Sequence, residues 1–366
     1  MSEAEAPRGE TLDGVPCALD AIYNWNYEPE IDELRTLYAN ALERQWIAVR
    51  DLDWETPLDT SHTLRNTEDV QQFPFGMLRA WQVIPRDTRE RIAVRMNAFM
   101  LSQFLHGEQG ALMVASQLVS AVPHMDGKFY AATQTVDEAR HVEVFARYIR
   151  KLDHVYAIDP ALREILDGVL ATDHWPKKAV GMQIVLEGLA LASFRNMRRT
   201  TEEPLLHALL RNVSHDEARH TGYGIKYLRH VVPTLTEADR RELEDFAFEA
   251  TRRMVGSRSG GFGRAIVEIF VDEGIDVGEG FREMGERRDE VRTRLVAARR
   301  AQGFDADPLR GFVLPTLAKI GLYGDRIAPK FRQLIEQNMI SGLEGTTLDG
   351  SFSLPDDLET WVDATS

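Results

Sequence analysis

DEARH, at residues 137–141 and again at 216–220, is the stretch that decides the fold of this 366-residue chain. A glutamate stands before each copy, Glu108 before the first and Glu187 before the second, with 28 residues between glutamate and aspartate in both cases. Within each copy the glutamate and the histidine are three positions apart, so on a helix their side chains share one face and can converge on a metal ion. The repeat therefore indicates two halves of one metal site.

The interval of 30 positions between the two glutamates of each half fits a helical hairpin. Glu187 lies 13 residues before Thr200, and Glu217 lies 13 residues after Pro204, where the sequence TTEEP breaks the helix. At about 1.5 Å per residue the chain climbs and descends ~20 Å, which returns it to the same height on an antiparallel neighbour. In the first half the break at residues 123–127, PHMDG, reverses the chain near the midpoint between Glu108 and Glu138. We therefore expect all four glutamates to meet in one layer.

Glu187 interrupts a run that is apolar on nearly every side, VGMQIVLEGLALASF at residues 180–194. Burying an ionised carboxylate without a partner costs several kcal/mol, so this group must be protonated, ion-paired or metal-bound. Two divalent cations would neutralise four glutamates, and this set of oxygen and imidazole ligands suits iron or manganese better than zinc. The single cysteine, Cys17, excludes a disulfide and a cysteine-rich metal cluster.

A single Glu-x-x-His pair on a helix is usually a solvated pair. Two identical copies with identical spacing are different, and they favour a dimetal site. The alternative is a former site kept for packing, which would be expected to have lost a ligand. All six candidates are present, namely Glu108, Glu138, His141, Glu187, Glu217 and His220.

Composition predicts a soluble globular protein of the cytoplasm. Hydrophobic residues make up 43% and charged residues 28% of the chain, and no apolar run approaches the ~18 residues that a membrane span needs. The first residues are polar, with no apolar core of a signal peptide. A net charge of −15 disfavours nucleic acid as a partner.

Apolar residues recur at helical spacing almost throughout, which predicts an all-α protein with a four-helix core and additional N- and C-terminal helices. The predicted division is an N-terminal extension at 1–30, a helical metal-binding domain at 31–255, accessory helices at 256–340 and a tail at 341–366. The predicted helices cover residues 31–52, 85–122, 128–152, 160–171, 178–199, 204–232, 236–255, 280–301 and 307–337, with a Ser/Gly linker at 256–263.

These residues resemble the ferritin-like di-iron carboxylate superfamily, in which two helices each give one glutamate and two others give Glu-x-x-His. Over residues 89–232 the motif looks most like the bacterial multicomponent monooxygenase hydroxylases. The resemblance implies two iron ions, Fe2+ or Fe3+, with manganese or a mixed Mn/Fe pair as alternatives, and O2 as co-substrate. It implies one iron on Glu108, Glu138 and His141, and the other on Glu187, Glu217 and His220.

The same resemblance assigns roles to the remaining charged residues of the repeat. Asp137 and Asp216 would accept hydrogen bonds from the histidine rings and fix their tautomers, while Arg140 and Arg219 would neutralise those aspartates. Ordinary ion pairs on a helix surface are the alternative interpretation of these four residues.

Three positions depart from known members of the superfamily. The hydroxylases have a threonine where this chain has Leu191, and ribonucleotide reductase small subunits have a radical tyrosine where it has Phe145. The arylamine N-oxygenases have a third histidine where it has Val213. The chain therefore resembles a divergent, stand-alone branch in which radical storage is not expected.

The function implied is that of a non-haem di-iron oxygenase or oxidase that hydroxylates, N-oxygenates or desaturates a small organic substrate, free or carried by a partner. The sequence contains no redox-cofactor motif, so an external electron donor, a ferredoxin or a flavin reductase, is expected, and the resemblance favours a homodimer. Candidate walls of an apolar substrate pocket, each of which could equally be ordinary core, are Ala111, Leu112, Ala115, Phe145, Ala190, Leu191 and Phe194.

Two other functions remain open at this point. An iron-handling ferroxidase would need no organic substrate, but the accessory helices argue against it because storage needs only a bare four-helix subunit. A structural subunit of a hydroxylase complex is the second alternative.

Overall fold

The computed structural model describes residues 12–60, 74–256, 261–291, 293–294, 297 and 308–336. Within these residues the chain is helical and has no β-strand, which confirms the all-α prediction. The helices are α1 (Asp32–Glu43), α2 (Ala48–Asp51), α3 (Arg79–Gln82), α4 (Arg86–Ala121), α5 (Met125–Leu152), α6 (Pro160–Ala171), α7 (Trp175–Ala179), α8 (Glu187–Thr200), α9 (Pro204–Val231), α10 (Glu237–Gly256), α11 (Gly261–Asp272), α12 (Val277–Glu286), α13 (Leu314–Lys319) and α14 (Ala328–Glu336).

Four long helical segments, here called rods, form the core. In chain order they are α4, α5, a third rod in which the π-helical segment Val180–Leu186 joins α7 to α8, and α9. Helix α4 packs along α5, and α8 packs along α9. The second hairpin turns where Glu203 caps α9, because its carboxylate accepts hydrogen bonds from the backbone N–H groups of Leu205 and Leu206. Pro204 occupies the first helical position, where its missing N–H costs nothing. The four-helix core with two hairpins is as predicted.

Two apolar clusters lie one above and one below the layer that contains the four glutamates. The lower cluster holds Leu105, Val144, Phe194 and Val213, and the upper cluster holds Tyr130 among others. Along α4, α5 and α9 the buried apolar residues change from one cluster to the other on passing the glutamate of that helix. The apolar pattern of the four rods therefore places the charged residues at one height, between two apolar clusters that exclude water.

Several predicted boundaries are wrong. The helix predicted at 31–52 ends at Glu43, since the chain leaves the helix so that Gln45 and Trp46 can reach the core. The helix predicted at 307–337 stops at Lys319 because Gly321 adopts φ 81°, and Leu322 N–H bonds to the Leu317 carbonyl in a Schellman turn.

The other differences are smaller. The helix predicted at 280–301 begins at Val277, where Asp276 caps it by accepting from the Gly278 N–H, and is interrupted by a turn at Arg287, after which residues 288–291, 293–294 and 297 are helical again. The linker predicted at 256–263 is shorter, because α11 already begins at Gly261, and residues 257–260 lie outside the described part of the chain. The predicted tail at 341–366 also lies outside it. None of the described helices is long and apolar enough to cross a membrane.

Helix α9 approaches the π-helical segment closely at Gly224. A Cβ atom added there would lie 2.5 Å from Cβ of Gln183 and 3.2 Å from Cδ1 of Ile184. Gly224→Ala should therefore lower the free energy of unfolding by about 1–3 kcal/mol, because two helix backbones must separate. Denaturant unfolding of the purified protein measures this.

Gly168 is the matched control, since it is an exposed helical glycine with nothing within 4 Å of an added Cβ. Gly168→Ala should raise the free energy of unfolding by about 0.5–1 kcal/mol through helix propensity. Equal stability of the two variants would show that the close approach at Gly224 is absent.

Candidate metal centre

The structure brings the six predicted metal ligands together in the layer between the two apolar clusters, and none of them is more than 5% exposed. Their ligand atoms form two groups, and within each group the atoms lie within 4.8 Å of one another. Glu138 and Glu217 belong to both groups, so they lie between the two positions that a pair of ions would occupy. The groups are Glu108, Glu138, His141 and Glu217, and Glu138, Glu187, Glu217 and His220.

Both histidines present Nδ1 to the carboxylates. The Nδ1 atom of His141 lies 3.1 Å from Glu108 Oε2, 3.2 Å from Glu138 Oε2 and 3.1 Å from Glu217 Oε1. The Nδ1 atom of His220 lies 3.1 Å from Glu138 Oε1. A metal ion among these oxygens would therefore be bound through Nδ1, which leaves Nε2 to donate a hydrogen bond.

The two aspartates of the repeat lie behind the histidines, and the pairing is crossed. The Nε2 atom of His141 lies 3.0 Å from Asp216, and that of His220 lies 3.2 Å from Asp137, so each aspartate contacts the histidine of the other motif. Sequence spacing suggests the aspartates but does not reveal the crossing. The crossing joins α5 to α9 directly beneath the candidate ligands.

Two arginines and the segment that follows α1 surround these aspartates. Arg140 lies 2.5 Å from Asp137 and 2.9 Å from Asp216, and Arg219 forms a short ion pair with Asp216. Trp46 donates from Nε1 to Asp216 at 2.7 Å, and its ring lies 4.6 Å from the Arg140 guanidinium.

Gln45 completes this set of contacts. It donates to Asp137 at 2.8 Å and accepts from Arg140 at 2.8 Å. Sequence analysis missed Gln45 and Trp46, because helical periodicity identifies a buried stripe but not the polar atom that a side chain on that stripe reaches.

Two buried glutamines support the glutamates from the other side. Gln134 donates to Glu138 at 3.1 Å and to Glu187 at 2.8 Å, and Gln183 donates to Gln134 at 3.4 Å. Each glutamine stands four residues before a glutamate of the centre, Gln134 before Glu138 and Gln183 before Glu187. That repeated offset was a usable signal, since residues four apart share a helix face.

The electrostatics of the centre call for added positive charge. Burial raises the pKa of Glu108 and of Glu187 well above the usual value, and the charge of Glu217 adds to the effect. Oε2 of Glu217 and Oε2 of Glu187 form no hydrogen bond among the described residues, while Oε1 of Glu217 lies 3.1 Å from Nδ1 of His141. Unbonded buried carboxylate oxygens are costly in a protein interior, and Glu187 and Glu217 belong to one group whose ligand atoms lie within 4.8 Å of one another. The residues therefore fit a pair of divalent cations.

The predicted pocket residues are divided among three apolar clusters. Phe145, Phe194 and Ala190 lie in the lower cluster, Ala111 in the upper one, and Leu191 packs against the C-terminal helices. Ala115 is buried and Leu112 is half-buried. Phe104 joins the two phenylalanines, with ring centroids 4.8 Å from Phe194 and 6.3 Å from Phe145.

The metal-free protein should lose stability as the pH rises through neutrality. Burial alone would lower the pKa of His141, but the charge of Glu108 and three hydrogen bonds outweigh it and raise that pKa well above the usual value. The pKa of His220 is raised in the same sense by Glu138 and Glu217 against the effect of burial. A raised pKa stabilises the folded state below the unfolded pKa of ~6.5, and that contribution disappears as the pH passes the folded pKa.

Each proton that only the folded state retains gives a slope of about 1.4 kcal/mol per pH unit. Denaturant unfolding between about pH 6.5 and pH 9 should show this fall in the metal-free protein and a flatter profile with ferrous ions bound, since the cations replace the protons. Stability of the metal-free protein that rises over this interval would contradict the described geometry.

Two structures similar to this chain are R2-like ligand-binding oxidases. One has an aerobically reconstituted Mn/Fe cofactor, with 16% identity over 80% of this chain and 92% of the other, and a TM-score of 0.42. The other is a variant with an anaerobically reconstituted Mn/Fe cofactor. It has 17% identity over 80% of this chain and 93% of the other, and a TM-score of 0.47.

No functionally curated protein is significantly similar to this sequence. The model of the family described as p-aminobenzoate N-oxygenase AurF matches residues 30–302, which is well over half of the chain. This match confirms the predicted di-iron carboxylate superfamily and selects, within it, the N-oxygenases. Their expected third histidine is replaced here by Val213, which is buried. The chain belongs to the AurF p-aminobenzoate N-oxygenase family and is a non-haem di-iron oxidoreductase.

Proposed function

We propose that the six residues of the centre bind two iron ions and that the protein uses them with dioxygen to oxidise a small aromatic amine. The observation that carries the proposal is the pair of overlapping ligand groups that share Glu138 and Glu217. Glu138 and Glu217 would be shared by the two ions, as carboxylates are in two-metal sites. Glu108 and His141 would complete the ligands of one ion, and Glu187 and His220 would complete those of the other.

Ferrous ions bound here would supply the electrons that dioxygen reduction requires. The remaining work belongs to the protein's own side chains. Asp216 and Asp137 would accept hydrogen bonds from the Nε2–H groups of His141 and His220, so that both rings keep the tautomer with Nδ1 free for metal binding. The apolar clusters on both sides would exclude water from the reacting atoms.

We place the substrate on the side of Phe104, Phe145 and Phe194. Phe104 stands four residues before Glu108, and Phe145 stands four residues after His141, so both lie one helical turn from a ligand. Three aromatic rings in edge-to-face and stacked contact form a face suited to another flat ring. The family description, p-aminobenzoate N-oxygenase, makes an aromatic amine the first substrate class to test. Ala111, Leu112, Ala115, Ala190 and Leu191 stay proposed pocket residues.

The catalytic cycle also needs electrons from outside the chain. We propose a ferredoxin or a flavin reductase as the donor, since the sequence contains no motif for a second redox cofactor. A homodimer in the cytoplasm is the proposed state of the protein.

Metal content tests the ligand assignment. The protein should contain about two iron ions per chain after anaerobic ferrous loading, and Glu217→Gln should contain fewer than half as many, because Glu217 belongs to both ligand groups. The matched control is Glu143→Gln, an exposed residue of the same helix as Glu138, which should load as the unchanged protein does. Elemental analysis of desalted protein provides the measurement. The same iron content per chain in both variants would contradict the proposal that the two ions share Glu217.

The substrate face is tested with Phe104→Ala. Loss of one aromatic contact of about 1 kcal/mol should lower kcat/KM for an aromatic amine several-fold and leave the iron content unchanged. Product formation followed by mass spectrometry, with dioxygen and a chemical reductant supplied, is the measurement. An unchanged kcat/KM would place the substrate elsewhere.

An iron-handling function without organic substrate is the second candidate, and the buried carboxylate cluster alone is compatible with it. It predicts ferrous oxidation that no amine accelerates, and a large cage on size-exclusion chromatography. The oxygenase predicts product in proportion to the dioxygen consumed and a small oligomer.

A further inference from the structure

We propose that Tyr130, Tyr223, Tyr227 and Trp175 form a chain of redox-active rings from the metal centre to the protein surface, which carries oxidising equivalents away when no substrate is in place. The inference rests on the proposed function, because the metal centre supplies the oxidant. It adds a route by which the protein survives dioxygen reduction that is not followed by substrate oxidation.

The four rings are in consecutive contact. The ring centroids of Tyr130 and Tyr223 are 4.6 Å apart, those of Tyr223 and Tyr227 are 5.6 Å apart, and those of Tyr227 and Trp175 are 4.9 Å apart. The three tyrosines are buried, whereas Trp175 is half-buried. Electron transfer between rings at such separations is fast, because its rate falls steeply only with greater distance. The chain therefore joins the interior to solvent without a gap.

The inner end of the chain lies against the candidate ligands. Tyr223 stands three residues after His220, so the two side chains share a face of α9. The charges of His220 and Glu187 both act on the Tyr130 hydroxyl. That hydroxyl has no hydrogen-bond partner among the described residues. A buried hydroxyl without a partner lowers the stability of the folded state by about 1–3 kcal/mol. Phenylalanine would fill the same space without this cost, so packing alone does not account for a phenol ring here.

Tyr227 is the ring from which a proton can leave. Its hydroxyl lies 3.0 Å from Nδ1 of His124, and burial lowers the pKa of that imidazole, which favours the neutral form that can accept a proton. His124 in turn contacts the exposed His230, with ring centroids 5.5 Å apart. Gly127 is needed for this arrangement, because a Cβ there would lie 2.7 Å from the Tyr227 ring. Tyr223, by contrast, donates among the described residues to the Gly127 carbonyl, which is not a base.

These contacts define a balanced step. The oxidised centre takes one electron from Tyr227 through the rings of Tyr223 and Tyr130, and the phenol proton of Tyr227 moves to Nδ1 of His124 along their hydrogen bond. A one-electron reductant of the ascorbate class then returns an electron through Trp175, and the proton returns from His124. The centre has gained one electron, the reductant has lost one, and the protein is unchanged.

Tyr148 shows what a buried tyrosine looks like outside such a chain. It is 1% exposed, its hydroxyl bonds to Glu203 at 2.9 Å, and it lies in the lower cluster. Tyr148→Phe is therefore a control of matched burial and chemistry.

The experiment follows ferrous-loaded protein mixed with dioxygen without substrate. Freeze-quenched samples are examined for tyrosyl or tryptophanyl radicals by electron paramagnetic resonance, and oxidised aromatic residues are located by peptide mass spectrometry. The unchanged protein and Tyr148→Phe should give the radical, with oxidation collecting at Tyr227 and Trp175. Tyr223→Phe and Tyr227→Phe should lose it, and oxidation should move to residues around the centre, such as Phe104.

The outcomes separate the two proposals. If the unchanged protein binds no iron or consumes no dioxygen, the proposed function fails and the chain, left without an oxidant, fails with it. If iron content and dioxygen uptake are normal but Tyr223→Phe and Tyr227→Phe leave the radical and the oxidation sites unchanged, only the chain is overturned. If a tyrosine variant loses iron, His124→Gln decides, because it keeps every ring and removes the proton acceptor: loss of the radical supports the chain, and an unchanged radical overturns it.

Discussion

The rest of the structure depends on the need to bury four carboxylates in one layer of a helical bundle. Glu108, Glu138, Glu187 and Glu217 all lie in the interior, where uncompensated negative charge would unfold the protein. Two histidines, two arginines paired with two aspartates, and two glutamines surround them. This set compensates the aspartates fully but leaves oxygens of Glu187 and Glu217 without hydrogen bonds. The protein is therefore organised to receive cations, and the apolar clusters on both sides fix where those cations must go.

The same constraint explains details that a bare bundle would not need. The chain leaves helix after Glu43 so that Trp46 can reach Asp216, 170 positions away in sequence. The third rod changes to a π-helix over Val180–Leu186, directly before Glu187, and single π-helical turns often occur at functional sites. Gly224 allows α9 to come close to this segment. Each feature places a polar side chain against the centre, and each interrupts or weakens a regular α-helix locally.

Much of the core was predictable because its signals are local. The hairpin breaks at residues 123–127 and near Pro204, together with the fixed offset of Glu108 from Glu138, determine the height at which the rods meet. The crossed contacts of Asp137 with His220 and of Asp216 with His141 were not predictable, since they depend on how α5 and α9 are rotated about their axes. Gln45 and Trp46 were missed for a related reason. The break at Gly321 was missed because an isolated glycine in a periodic stretch does not by itself indicate a positive φ such as the 81° found here.

Anomalous diffraction at the iron absorption edge from crystals of the ferrous-loaded protein is the most direct test of the central claim. We expect two anomalous peaks ~3.5–4 Å apart, with Glu138 and Glu217 between them, His141 beside one and His220 beside the other. A single peak, or two peaks that do not share these carboxylates, would contradict it.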